Sequence, residues 1–325
     1  KSPLPKVLHP VAGQPMIGYV IDACRDSGCE ELRVVVGHMQ NLVRQVVEPM
    51  AKPSAAKLKP QELSLKVYVQ TEQLGTAHAV RSADVDTLNG EVVILNGDHP
   101  LIAAEDIQSI LQQFRSSQLD LAVVTVMLKD PGEFGRIVRH HGMIKAIVEA
   151  KDASAETLKI KEVNTGIYVV KADVLSDYLP KIQNHNSKKE FYLTDIIGLC
   201  IDDQLKVGTV SAPMRVSRGV NDQIQLAIAT RYHFKKKIKS LMENGVVVID
   251  PACTYIETNV QIGSGTVVYP NVYVRGNTTI GSFCVLEPNV QIMDSVISNG
   301  VQIKAGSYIE RSVIADQCSV GPYAR

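Results

Sequence analysis

The chain has 325 residues, enough for two domains, and its 34 Lys+Arg balance 34 Asp+Glu, which removes the electrostatic case for a nucleic-acid partner. Its six cysteines form no Cys-x-x-Cys pair, so neither a zinc site nor a disulfide framework is indicated, and reduced thiols in a cytosolic protein are the default reading. No apolar run reaches the length of a membrane span and no secretory leader is visible.

From the N-terminus, apolar strand-like runs alternate with helical spacing. Strands are predicted over 32–36, 65–69, 92–95, 121–126, 143–148 and 165–170, and helices over 17–27, 41–47, 77–83, 104–114 and 172–178. This alternation implies a parallel, doubly wound sheet, with ligands held in loops beyond the carboxyl ends of strands. A long helix follows over 223–243 and stops at Asn244-Gly245. Its Lys235-Lys236-Lys237 run and Lys239 read as a solvated face in preference to an anion patch.

The remainder repeats every six residues. Ile256, Ile262, Val268, Val274, Ile280, Leu286 and Ile292 are in strict register, and Val260, Thr266, Val272, Thr278, Cys284 and Val290 keep the same beat. The register slips by one residue to Ile297, Ile303 and Ile309, and again to Ile314 and Val320. A six-residue period fits a parallel β-helix whose short strands each form one side of a three-sided coil. Hairpins would show period-two alternation instead. The chain opens at Lys1 in place of Met and ends at Arg325 in mid-coil without a cap, which points to a segment of a longer protein.

The strongest local motif is Leu95-Asn96-Gly97-Asp98-His99-Pro100-Leu101. A buried strand runs into Gly97, which permits close approach, and Pro100 ends the ladder, so Asp98 is presented at the strand's carboxyl end. There it suits Mg²⁺, which takes one or two protein oxygens; the alternative is an N-cap for the helix that follows. Gln70, Gln73, Gly75 and Thr76 follow the strand over 65–69 and open the next helix. Their amides and exposed backbone suit a base edge, and Thr76 is also a natural N-cap. Lys6 stands on a Pro-stiffened segment, a weak signal by itself. Gly135-Arg136-Ile137, Glu149-x-Lys151-Asp152 and Asn164-Thr165-Gly166 are polar clusters beside strands, each compatible with turn chemistry. Asn221 caps the long helix or supplies an oxygen to a cation. His140-His141 beside Gly142 reads as a turn, and no histidine pairs with a Ser or Cys as a nucleophilic site.

These motifs carry a resemblance. Leu4-Pro-Lys-Val-Leu8, Gln73-Leu-Gly-Thr76, Gly97-Asp98-x-Pro-Leu101, Phe134-Gly-Arg-Ile137, Val148-Glu-x-Lys-Asp152, Asn164-Thr-Gly-Ile167, Phe191-Tyr-Leu-Thr-Asp-Ile196, Gly219-Val-Asn221 and the hexapeptide repeats ending Gly321-Pro-Tyr-Ala-Arg325 resemble the bifunctional bacterial family of N-acetylglucosamine-1-phosphate uridyltransferase / glucosamine-1-phosphate acetyltransferases, over nearly the whole chain. The resemblance implies an α/β doubly wound, Rossmann-like nucleotidyltransferase domain over 1–222, a linker helix over 223–245 and a left-handed parallel β-helix over 246–325 that begins the acetyltransferase domain.

It implies that Asp98 and Asn221 bind Mg²⁺ and that Lys6 contacts the triphosphate, Lys6 and Asp98 being the catalytic pair. Gln70, Gln73, Gly75 and Thr76 would hold the uracil and its surroundings. Gly135, Glu149, Asn164 and Thr194 would hold the amino sugar. The implied substrates are UTP, N-acetylglucosamine 1-phosphate, acetyl-CoA and glucosamine 1-phosphate; the implied assembly is a cytoplasmic homotrimer without membrane insertion. The family's glycine-rich phosphate loop, whose strand belongs in the middle of the sheet, is absent before Lys1, and Arg325 matches only the first acceptor-contacting Arg of the acetyltransferase site. A protein limited to residues 1–325 is therefore expected to have neither activity at useful levels. Two rival readings are an enzyme for another nucleotide or sugar, such as a glucose-1-phosphate adenylyltransferase, and a non-catalytic trimeric scaffold.

Overall fold

The structure is a computed structural model that describes residues 3–51, 63–186 and 188–325. It divides into two compact units: residues up to His9 with Met16–Val220, and Pro10–Pro15 with Asn221–Arg325. No helix among the described residues is long and apolar enough to cross a membrane.

The first unit runs α1 (Met16–Asp26), β1 (Glu31–Val36), α2 (Gln40–Val47), β2 (Ser64–Val69), α3 (Thr76–Arg81), β3 (Glu91–Ile94), α4 (Ala104–Ser116), β4 (Leu121–Met127), β5 (Arg136–His140), β6 (Met143–Val148), α5 (Ala155–Leu158), β7 (Glu162–Lys171), α6 (Ala172–Tyr178), α7 (Asp195–Asp202) and β8 (Val207–Ser211). All six predicted strands and all five predicted helices of this region exist, with shifted ends. The expected all-parallel sheet does not. β8 runs parallel to β4 and β1 parallel to β2, but β7 lies antiparallel to β3, β4 and β5, and β5 to β6. The reason is local. His141 (φ 48°) and Gly142 (φ 81°) make a two-residue turn with positive φ at both positions, the hairpin turn that matches strand twist. β5, with Arg136, Arg139 and His140 among its five residues, is a strand that the apolar pattern does not mark.

β4 is buried on both faces along six of its seven residues, as a central strand should be. β1 pairs only with β2, and β3 only with β7, among the described residues. Residues of β1 and β3 line one cavity of about 1620 Å³ together with Ile17 and Ile21 of α1 and Ile107 and Leu111 of α4. β1 and β2 thus pair apart from the strands that carry β3 and β7.

In the second unit, α8 (Gln223–Glu243) is capped by Asp222, whose Oδ1 accepts from Gln225 N at 2.7 Å. Asn221, weighed for that cap, is one residue too early. Of the lysine run, Lys235, Lys236 and Lys239 are exposed. Lys237 is the exception: its half-buried amine donates to the Thr258 carbonyl at 3.0 Å, and burial pulls its pKa down. The residues after α8 visit three sheets of five, four and four strands in strict rotation, every pairing parallel. Ile256, Val274, Ile292 and Ile309 stack in one sheet and Ile262, Ile280, Ile297 and Ile314 in another. The hexad residues form one continuous core. Each single-residue slip in the repeat shortens a coil from 18 residues to 17 and leaves the inward face unchanged. The segment Pro10–Pro15 forms a two-stranded hairpin that belongs to this unit, where the Ala12 carbonyl accepts from Thr258 N at 3.2 Å.

Candidate active site

Asp98 lies just past β3 in the first unit. Its Oδ2 is 2.5 Å from Lys6 Nζ, so two residues 92 positions apart meet as an ion pair. α4 is capped elsewhere: Ala103 is the N-cap position and its N–H is held by Asp106 Oδ2 at 2.9 Å. The capping alternative for Asp98 therefore falls. Its side chain is 22 % exposed and faces Gly219, where a Cβ would stand 3.7 Å from Asp98 Oδ1. His99 beside it is buried, which pulls its imidazole pKa down. Among the described residues no three His, Cys, Asp or Glu side chains gather as a metal cage. One half-open carboxylate fits Mg²⁺, which fills most of its shell with phosphate and water, and does not fit a metal held wholly by protein. Asn221 opens the second unit, where its N–H donates to Gln225 Oε1 at 2.6 Å.

The sugar-side residues converge. Asn164 N donates to the Gly135 carbonyl at 2.9 Å. A Cβ on Gly135 would stand 3.4 Å from Glu149 Oε1 and 3.1 Å from Ile147, so the bare backbone leaves room for the carboxylate. Glu149, Asn164 and Thr194 line the large cavity, with Lys6, Thr76, Asn96, Asp152, Lys188 and Tyr192. Burial first, then the charge of Asp152, push the Glu149 carboxyl up, against the pull of Lys188. Burial also raises Asp195. The Asn164 amide is partly spent: Nδ2 donates to Tyr168 Oη at 3.0 Å and Oδ1 accepts from Gly166 N at 2.8 Å. Gly166 (φ 77°) lies within the register shift between β4 and β7. A Cβ there would strike the Asn96 amide at 2.6 Å. Tyr192 belongs to the Phe191–Ile196 motif, with no role assigned to it there, whereas Lys188 lies outside every motif because a Lys in a polar loop carries no spacing signal.

The base-side loop corrects one expectation, the Thr76 cap. Gly75, with φ 113°, is the N-cap position of α3, and Thr76 instead uses Oγ1 to accept from Leu193 N at 3.0 Å. Gln70 turns its amide inward, Nε2 donating to the Gly75 carbonyl at 3.2 Å. Gln73 is exposed, beside Gly37. The loop is tied to the segment before Thr194 through Ala77 N to Phe191 O at 2.9 Å and Phe191 N to Leu74 O at 2.7 Å. Arg136 is buried in its own turn, on the carbonyls of Gly132 and Phe134. Arg325 is exposed at the end of the second unit.

A lysine–carboxylate pair just past β3 and a cavity lined by polar side chains mark the candidate site of an α/β protein. Residues 2–213 match the family model described as Nucleotidyl transferase, and residues 247–325 match the GMPPB C-terminal domain. A bifunctional protein GlmU from Bdellovibrio bacteriovorus is 60% identical over 325 residues, all of this chain and 68% of that protein. Proteins of the same name from Alkaliphilus metalliredigens and Thermosipho melanesiensis are 39% and 41% identical, over all of this chain and 68% and 67% of theirs. Among solved structures, apo UDP-glucose pyrophosphorylase aligns with a TM-score of 0.57 at 15% identity, over 72% of this chain and 91% of that one, which shows a shared fold. The chain belongs to the nucleotidyl transferase family and, within it, to the bifunctional GlmU proteins. It is a nucleotidyltransferase.

Proposed function

We propose that the protein transfers UMP from UTP to N-acetylglucosamine 1-phosphate, giving UDP-N-acetylglucosamine and pyrophosphate. The observation that carries this reading is the match to GlmU proteins over the entire chain. A sugar 1-phosphate oxygen attacks the α-phosphorus and pyrophosphate leaves. Both reactants are anions, so charge neutralisation and in-line positioning supply the catalysis and no protein nucleophile is required. Lys6 neutralises the triphosphate. Gln70, Gln73, Gly75 and Thr76 form the base side, and Gly135, Glu149, Asn164 and Thr194 the sugar side. Mg²⁺, when bound, supplies further charge neutralisation; Asp98 would hold it, and Asn221 is carried as its second protein ligand on the resemblance alone.

The same resemblance extends the proposal to the longer protein. It would also acetylate glucosamine 1-phosphate from acetyl-CoA, with Arg325 touching the acceptor, in a cytoplasmic homotrimer whose β-helix is left-handed. Pyrophosphate and CoA release by the full-length protein, with UTP or ATP and with N-acetylglucosamine 1-phosphate or glucose 1-phosphate, test the reading. Turnover should require UTP and the acetamido sugar. A preference for ATP and glucose 1-phosphate would favour the adenylyltransferase alternative, and no turnover with any pair would overturn the uridyl-transfer reading.

A further inference from the structure

In the loop between β2 and α3, the amide nitrogen of Gln70 faces one group of the loop and one of the helix. Gln70 Nε2 donates to the Gly75 carbonyl at 3.2 Å and lies 3.1 Å from His78 Nδ1. A carbonyl oxygen offers only lone pairs, so the amide face turned to Gly75 is its NH₂. The second proton then meets His78, which accepts it at Nδ1 and so carries its own proton on Nε2. No hydrogen bond reaches Gln70 Oε1 from the described residues.

The frame around this amide is rigid. A Cβ on Gly75 would stand 2.5 Å from the Phe191 carbonyl oxygen and 2.8 Å from its nitrogen. Hydrogen bonds on either side tie Leu74 and Ala77 to Phe191. His78 lies in the first turn of α3, where its carbonyl accepts from Ser82 Oγ at 2.9 Å.

We propose that His78 is a positioning residue that sets base selectivity. By engaging Gln70 Nε2 it leaves Oε1 as the amide atom of Gln70 that no described residue holds. That oxygen is a pure acceptor. It matches the N3–H of uracil and opposes the lone pair at N3 of cytosine. The inference rests on the reading of Gln70 as a base contact.

The test uses the full-length protein, with kcat and KM measured for UTP, CTP and the sugar 1-phosphate. His78→Ala frees the amide to rotate. It should shrink the UTP-over-CTP ratio of kcat/KM about tenfold, the worth of roughly one hydrogen bond, through the nucleotide KM, with the sugar phosphate KM unchanged. His78→Asn, whose Oδ1 stands in for Nδ1, should restore most of the ratio. A folded His78→Ala protein with the wild-type ratio overturns the proposal, as does a sugar phosphate KM that rises in step. Nitrogen-15 NMR of the wild-type histidines judges it without any variant: His78 should carry its proton on Nε2, and a proton on Nδ1 overturns it. If the wild type transfers no nucleotidyl group at all, the uridyl-transfer reading fails, while the NMR result still decides how Gln70 is held.

Discussion

Asp98 and Glu149 are carboxylates of one unit with opposite surroundings. Asp98 faces the amine of Lys6, whereas Glu149 is half-buried beside Asp152 and Asp195. Removing the Asp98 charge by Asp98→Asn should lower pyrophosphate release at least about a hundredfold through lost cation binding. Thermal melting should barely change, because the Lys6 pair is partly exposed and such pairs contribute little. Wild-type turnover in Asp98→Asn would remove the residue from the mechanism. Glu149 makes a pH prediction. Its raised pKa means that the folded state favours the protonated form, so its contribution to stability is full below the ordinary carboxylate range and is lost as pH rises through the raised value. Glutamine does not ionise. The urea midpoint of Glu149→Gln relative to wild type should therefore climb as pH is raised from below the ordinary carboxylate range to above it, while the KM for the sugar phosphate rises. A difference that stays flat across that range would contradict the burial argument.

At the scale of elements, two backbone devices set the site and the coil. Gly75 adopts φ 113° against the Phe191 backbone, a place where a side chain has nowhere to go. Gly75→Ala should cost about 1–3 kcal/mol of local strain. Because Phe191 leads into Thr194, the KM values for both substrates should rise together; a rise confined to one would show that the loop and the 191–194 segment move independently. In the second unit, Leu286 is fully buried between Val268 and Ile303 of the adjacent coils. Leu286→Ala should destabilise that unit by about 2–5 kcal/mol, read as a shift in its unfolding transition with circular dichroism. A shift under about 1 kcal/mol would mean that the coil collapses around the lost methyl groups.

At the scale of the whole molecule, the second unit keeps apolar side chains on its outside. Phe283 is 72% and Val313 81% exposed, and Val247, Ile249 and Val296 are also open. Apolar residues outside a solenoid suit association with further copies, and the proposed homotrimer would cover them. Sedimentation equilibrium should return about three chain masses, and a single chain mass at micromolar concentration would rule the trimer out.

Periodicity fixed most of the architecture in advance. The hexad pattern named most of the buried residues of the coil, because every coil repeats the same contacts with its neighbours. The alternating apolar runs located six strands of the first unit, because a strand buried on both faces must be apolar throughout. The residues of the candidate site were legible as types in motifs, Asp98 after Gly97 above all. Their partners were not. Lys6 on Asp98, Thr76 on Leu193, Gln70 turned toward His78 and the Pro10–Pro15 hairpin in the second unit each join residues remote in sequence or depend on a side-chain rotation that spacing does not record. Sheet direction also waited for the fold: β5 and β7 are antiparallel because a two-residue turn closes one hairpin and a long strand returns along the sheet. Local composition determines which segments are buried. Which donor meets which acceptor is decided only when those segments pack.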